Sequence, residues 1–434
     1  MKRAIAVLIS GVLSSGAGAA NLLEVYRDAI ANDADFASAR AERDAGQEKA
    51  VQGRAGLMPG IGLAANTTFN DATYATRDYR YNSNGYGAEL SQPLFRMQNW
   101  VQYKQGQLQT GLATTRFELA RQDLILRVAT AYFDVLNAQD ALDAVRSLKA
   151  AAEQQLQLAK KSFEVGTVTI TDVHEAQSRH DLASAQEIAG SNDLVVKRQT
   201  LARLVGKEPE LLSRLRKGVT LERPQPDDMQ QWVKAAVDES YSVQAQKLAA
   251  EIASREVDRN RAAHLPTVDV VARYNQANTG LPIATADRTT IRSIGLELNM
   301  PLFQGGALTS RDREAAALKL KADSDLESAR RASALAARQA YLGVTSGMAQ
   351  IKALEAAEIS SRSALDANRL GYEVGVRINI DVLNAQSQLA DTTKQLAKAR
   401  YDTLLAQLQL EAAAGALDEE DVQRVNALLE TAPD

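Results

Sequence analysis

The chain has 434 residues, with 50 Lys and Arg against 54 Asp and Glu, a net charge of −4 and no cysteine. Mild acidity argues against a nucleic-acid partner. The absence of cysteine excludes a disulfide framework and a lipid-modified N-terminal cysteine. Aromatic residues are 5 %, and abundant Ala with Leu, Gln, Arg and Glu is the mix that long helices use.

The first element is a charged start, Lys2 and Arg3, followed by an apolar run from Ala4 to Leu13 and by Ala17-Gly18-Ala19. A charged segment, a short apolar run and an A-x-A site predict a secretory signal peptide over residues 1–19. The run is too short to span a bilayer, and its removal takes the net charge to −6. No later stretch offers eighteen apolar residues in a row, which excludes a helical membrane protein.

Next come two strands over about 60–95. Ile61, Leu63, Ala65, Thr67 and Phe69 alternate with Gly62, Ala64, Asn66 and Thr68, and Tyr86, Ala88 and Leu90 alternate with Gly87, Glu89 and Ser91. Each is expected to run roughly ten residues, joined by a polar loop from Asn70 to Gly85 that carries Tyr79 and Tyr81. Pro93 is expected to close the second strand. No proline lies between Leu94 and Glu208. This stretch reads as long helices broken at Gly166, the first running from about Gln98 to Val165, or roughly 100 Å. Leu112, Leu119, Leu126 and Phe133 recur every seven residues, as in a coiled-coil seam.

A proline-marked segment over about 206–226 closes the first half. The second half, 227–434, repeats the order. Its hairpin covers about 267–303, where Val268, Val270, Ala272 and Tyr274 alternate with Thr267, Asp269, Val271 and Arg273, and Ile294, Leu296, Leu298 and Met300 alternate with Ser293, Gly295, Glu297 and Asn299. The loop runs from Asn275 to Thr290 and Pro301 ends the strand. Another proline-free stretch follows from Leu302, broken at Gly375, and a C-terminal segment begins near Leu417.

The two halves match in sequence as well as in order. An offset of 209 positions carries Phe163-Glu164-Val165-Gly166-Thr167 onto Tyr372-Glu373-Val374-Gly375-Val376, and Ile170-Thr171-Asp172-Val173 onto the Ile380-Asp381-Val382 region. Gln92-Pro93-Leu94-Phe95 matches Met300-Pro301-Leu302-Phe303. The period is too long for a solenoid unit and reads as a duplicated half, 20–226 and 227–434. The fold class is α+β, with an internally duplicated long-helix coiled-coil body and two β-hairpins. The helices alone are compatible with a fibrous coiled coil, and the alternating strands with a soluble two-layer sheet. Four strands cannot close a barrel, and an open sheet is forbidden in lipid. If these strands lie in a membrane, several chains must share one barrel.

With these features the chain resembles the TolC-like outer-membrane efflux proteins, the channel-tunnels. The likeness covers essentially the whole mature chain. It rests on the duplicated helix–hairpin–helix order, the Q-P-L-F and M-P-L-F strand ends, and the two turns with V-G, five residues, then D-V. The resemblance implies a homotrimer in the cell outer membrane, whose chains contribute four strands each to a 12-stranded barrel continued by a helical tunnel into the periplasm. The 206–226 and C-terminal segments would form an equatorial collar. It implies a passive exit duct of a tripartite export system, for type I protein secretion or multidrug efflux. The partners implied are outer-membrane lipid, a periplasmic adaptor (membrane fusion) protein and an inner-membrane ABC or RND transporter. General likeness leans toward secretion, without a motif that separates the cargoes. The alternative class is a soluble periplasmic coiled-coil scaffold or adaptor.

The same resemblance supplies site residues. Tyr372 and Arg377 match the second-turn residues that reach toward Thr171 and Asp172 and hold the periplasmic gate shut. Capping is the competing role for Asp172 and Thr171. Asp381 matches a carboxylate ring at the constriction. A second acidic ring position is Asn384 here, which implies a milder cation selectivity. Val165, Gly166, Thr167, Val374, Gly375 and Val376 would form the adaptor docking surface. Glu89 and Glu297 occupy equivalent strand positions as further luminal acids or ordinary wetted residues. No catalytic residue, cofactor or metal is expected: His174, His180 and His264 lack ligand spacing, and Trp100 and Trp232 read as packing or interface residues.

Overall fold

The computed structural model describes residues 19–74, 77–208, 211–216, 218–280 and 288–430. The expected signal segment therefore lies outside the described residues except for Ala19. Along the chain run α1 (Leu22–Asn32), α2 (Ala34–Ala55), β1 (Gly60–Tyr74), β2 (Arg77–Phe95), α3 (Met97–Glu164) and α4 (Ile170–Val205). Then come α5 (Met229–Glu239), α6 (Tyr241–Ala262), β3 (Thr267–Asn278), β4 (Arg288–Asn299), α7 (Ala307–Glu373), α8 (Asn379–Ala413) and α9 (Glu419–Asn426). The first six elements and the next six follow one order, with helices of 68 and 67 residues at equivalent places.

The contacts divide the chain into two compact units, each drawing on both halves of the repeat. One holds the residues up to Ser38, Ala120–Ser240 and Ser333 onward; the other holds Ala39–Leu119 and Tyr241–Ala332.

The second of these units carries an antiparallel sheet in the order β1-β2-β3-β4. The first hairpin is longer than its apolar alternation suggests. Pairing continues from Gly60↔Ser91 to Tyr74↔Arg77, so most of the expected loop Asn70–Gly85 is strand, and Tyr79 and Tyr81 lie within β2. Polar side chains stitch this extension. Thr67 Oγ1 donates to Asn82 Oδ1 (2.9 Å), Asn70 Nδ2 to Ser83 Oγ (2.9 Å) and Thr73 Oγ1 to Asp78 Oδ1 (2.6 Å), and Arg80 pairs with Asp71. Such cross-strand pairs stabilise a ladder without an apolar face. Pro93 does not end β2. It sits inside the strand at a register shift between Pro93 and Phe95, where an irregular ladder tolerates the missing donor. β4 ends at Asn299, before Met300 and Pro301. The described part of the second loop, 279–280, is short, and 281–287 lies outside the described residues.

In the same unit α2 and α3 approach closely because small residues line the contact. A Cβ on Gly53 would lie 3.0 Å from Gln102 O, and Cβ atoms on Gly46 and Gly106 would collide with Ala113 and with the Lys49 carbonyl.

The other unit is held by aromatic and aliphatic packing of α3, α4, α5, α7 and α8. Phe133 stacks on Tyr401 at 5.5 Å between ring centroids and meets Tyr132 edge-on at 5.7 Å. Trp232 packs against Ala340, Leu410 and Ala414, and its Nε1–H donates to Pro226 O. The seven-residue seam expected along α3 is not the buried stripe. Leu119 is exposed and Leu126 half-buried, whereas Leu124, Ile125, Val128 and Tyr132 are buried, and of the seam only Phe133 joins them. A helix packed by several neighbours buries a wider stripe than a two-stranded coil. Short backbone links tie 211–216 to both termini of the described chain: Ser213 N–H donates to Ala20 O and Glu430 N–H to Arg214 O. Tyr132 fixes the same segment, its hydroxyl donating to Ser213 O at 2.7 Å.

Candidate functional site

The two V-G turns are built alike. After α3, Gly166 adopts φ 77° and Thr167 N–H donates to Ser162 O at 2.9 Å. After α7, Gly375 adopts φ 80° and Val376 N–H donates to Gly371 O at 2.9 Å. A left-handed residue with this six-residue closure is a Schellman stop, and glycine supplies it without Cβ strain. Both stops leave Val165, Val374 and Val376 exposed.

The restarting helices differ. Thr169 caps α4: its hydroxyl accepts from Asp172 N–H, and Asp172 Oδ2 accepts from Thr169 N–H at 2.8 Å. The cap is thus Thr169, not Thr171. Asp172 is the reciprocal acid of a capping box. In α8 the equivalent of Thr169 is Ile378, which makes no side-chain cap, and Asp381 instead faces Arg377 at 3.6 Å. Among the described residues no hydrogen bond or ion pair joins Tyr372 or Arg377 to Thr171 or Asp172. Space for the Arg377 stem comes from Gly371, where an added Cβ would lie 2.7 Å from Arg377 Cγ. Polar links between the two helix hairpins lie elsewhere: Arg179 Nη2 donates to Asn384 Oδ1 at 3.0 Å, joining α4 to α8, and Tyr401 Oη donates to Asp140 Oδ2 at 2.6 Å, joining α8 to α3. Sequence reasoning passed over Arg179, although it follows Asp172 by two helical turns and so shares its face.

On the sheet, the two faces separate by chemistry. Ile61, Leu63, Leu90, Ala272, Ile294, Leu296 and Leu298 share one face through the register. Leu63 is 85 % exposed, Ile294 79 % and Leu296 70 %. A bare aliphatic face of this extent marks a surface that a protein partner or lipid covers. On the opposite face Glu89 and Glu297 do not stand as free acids. Arg273 lies between them, with Nε 2.9 Å from Glu89 Oε2 and Nη1 2.5 Å from Glu297 Oε1. The register sets Arg273 opposite Glu89; the alternation put both on polar faces but could not pair them. Nearer the helices Arg96 grips Asp269 through both carboxylate oxygens, at 2.8 and 2.6 Å. No group of three or more metal-ligating side chains occurs among the described residues, and no described helix is long and apolar enough to cross a membrane.

The family model for "Outer membrane efflux protein" matches residues 25–207 and 232–416, both copies of the repeat. The chain belongs to the outer membrane efflux protein family. It is 34 % identical over 438 residues to "Outer membrane protein TolC" of Vibrio cholerae, covering 100 % of both chains. It is 33 % identical to "Alkaline protease secretion protein AprF" of Pseudomonas aeruginosa, covering 96 % of this chain and 89 % of that one. Among solved structures the fold is shared with VceC of Vibrio cholerae (TM-score 0.78, 20 % identity, 91 % and 96 % covered). It is also shared with the CmeC outer-membrane channel of Campylobacter jejuni (TM-score 0.80, 15 % identity, 94 % and 90 % covered). An outer-membrane location is consistent with the exposed aliphatic face of the sheet. The soluble-scaffold alternative is set aside by the same match. As a member of this family the protein is an outer-membrane channel for export.

Proposed function

We propose that three copies of this chain share a 12-stranded barrel and act as the passive exit duct of a tripartite export system, gated at the V-G turns. The observation that carries this is the open four-stranded sheet with a bare aliphatic face. Lipid forbids unpaired strand edges, so β1 and β4 need partners from further copies. The exposed Val165, Val374 and Val376, with Gly166, Thr167 and Gly375, form the docking surface for a periplasmic adaptor. An inner-membrane ABC or RND transporter supplies the energy. Likeness to a protease secretion protein favours type I secretion over small-molecule efflux as the cargo class.

Thr171, Asp172, Tyr372 and Arg377 form the gate between neighbouring helix pairs, and Asp381 forms the charged constriction ring. Asn384 removes a second carboxylate from that ring, and Arg179 reinforces the change by standing on it. Three converging Asp381 carboxylates attract cations. In planar bilayers, Asp381→Ala is expected to weaken block by a trivalent cation clearly while leaving a conducting channel. Unchanged block sinks the ring assignment. Purification with native partners tests the duct itself: a co-purifying transporter names the cargo class, and recovery as a water-soluble monomer overturns the reading.

A further inference from the structure

Where α3 leaves β2 and α6 leads into β3, the described residues enclose a cleft of about 360 Å³. Its walls carry Lys104 from α3 and Arg255, Asp258 and Arg261 from α6. Arg255 is shared between Glu251 at 3.7 Å and Asp258 at 3.6 Å. The side chains of Lys104 and Arg261 have no hydrogen bond or ion pair among the described residues. The cleft is thus net positive, with two uncommitted cations.

Its other component is apolar. Met97, Trp100 and Leu265 also line it, and they are 41, 50 and 43 % exposed. The exposed run continues into the sheet through Leu94 and Phe95 at the end of β2. β2 and β3 are the inner strands of the sheet. A second copy adding its strand along β1 or β4 therefore pairs with the outer strands and not with β2 or β3. The depth is fixed by sequence: Met97 follows the last residue of β2 by two positions and Leu265 precedes β3 by two. A half-exposed Trp beside a strand end is the residue expected at headgroup level. Basic pockets flanking a membrane span suit anionic lipid headgroups, whose phosphate accepts charge-assisted hydrogen bonds from Arg and Lys.

We propose that this cleft binds the phosphate headgroup of an anionic glycerophospholipid from the leaflet that meets the helices. Lys104 and Arg261 hold the phosphate, and Met97, Trp100 and Leu265 lie along the first acyl carbons. The full chain, purified in detergent, is incubated with phosphatidylglycerol, with phosphatidylcholine or with inorganic phosphate, and bound adducts are counted by native mass spectrometry. Wild type should retain phosphatidylglycerol, and Lys104→Gln/Arg261→Gln should retain about tenfold less. Each single variant should fall between, and Lys160→Gln, on the far part of α3, should match wild type. Trp100→Ala should release the lipid without changing retention of inorganic phosphate. Equal phosphatidylglycerol retention by the double variant overturns the site, as does equal retention of phosphatidylcholine by wild type. Inorganic phosphate binding as tightly as the lipid would make this a free-anion site and overturn the lipid assignment. The masses in the same spectra show whether each variant keeps its assembly.

Discussion

Arg127 holds the start of the chain to the long helix. Its Nη1 and Nη2 lie 3.0 and 3.1 Å from the two oxygens of Asp33, and its Nε donates to Asp123 at 2.7 Å. Asp33 is buried, ends α1 and accepts the Phe36 N–H at 2.7 Å as α2 begins. Burial pushes its carboxyl up, but hydrogen bonds from Arg127 and the Phe36 N–H outweigh that and hold it below the ordinary carboxylate value. The folded state therefore binds fewer protons than the unfolded one near pH 4. This stabilisation is complete at neutral pH and is lost as pH falls through the folded-state value. Arg127→Ala leaves an inner carboxylate without its partner and should cost about 3 kcal/mol. Amides at the α1–α2 junction should then exchange roughly a hundredfold faster at pH 7, a gap that narrows in acid. An unchanged exchange rate would show that Arg127 does not anchor Asp33. Nothing in the sequence pointed to this pair, because its members are 94 positions apart and neither lies in a motif. The cap of α4 shows a finer limit. Thr169 and Thr171 are chemically equal candidates, and only the backbone's extended conformation at Thr169 (φ −88°, ψ 162°) decides between them.

At the scale of elements the sequence was most legible where one face is apolar. Ile61-x-Leu63 and Ile294-x-Leu296-x-Leu298 announce their strands by period two, and the register places these residues on one face. The strand ends were lost where both faces turn polar, as at Asn70–Gly85, because the stabilising pairs there cross between strands and leave no periodic trace. The long helices were legible from missing prolines, but their buried stripe was not, since the number of packing neighbours sets its width. The aliphatic face supplies a direct test. Leu296→Lys puts a charge on the lipid side and should cost about 2–4 kcal/mol near the bilayer centre. Heat-stable oligomer in the outer-membrane fraction should fall steeply. Ser91→Lys lies on the opposite face and should assemble as wild type does. Equal losses for both would mean that the two faces do not see different media.

For the whole molecule, the duplication explains construction but not the Arg179–Asn384 contact between its copies. Arg179 and Asn384 are not repeat partners: the 209-residue offset carries Arg179 to Gln388 and Asn384 back to Glu175. Their 3.0 Å contact places a guanidinium where the family resemblance implies a second ring of carboxylates. This predicts a non-additive result. Asn384→Asp restores the carboxylate beside Arg179, which neutralises it, so block by a trivalent cation should change little. Arg179→Gln alone removes a positive charge and should strengthen block modestly. Asn384→Asp with Arg179→Gln exposes two carboxylates per chain, Asp381 and the restored one. An exposed pair of this kind is worth about 1 kcal/mol, so blocker affinity should rise roughly fivefold over either single variant. Planar-bilayer recordings on the four proteins measure the coupling directly. If Asn384→Asp alone strengthens block as much as the double variant, Arg179 does not compensate that position, and the charge of the constriction is set by Asp381 without it.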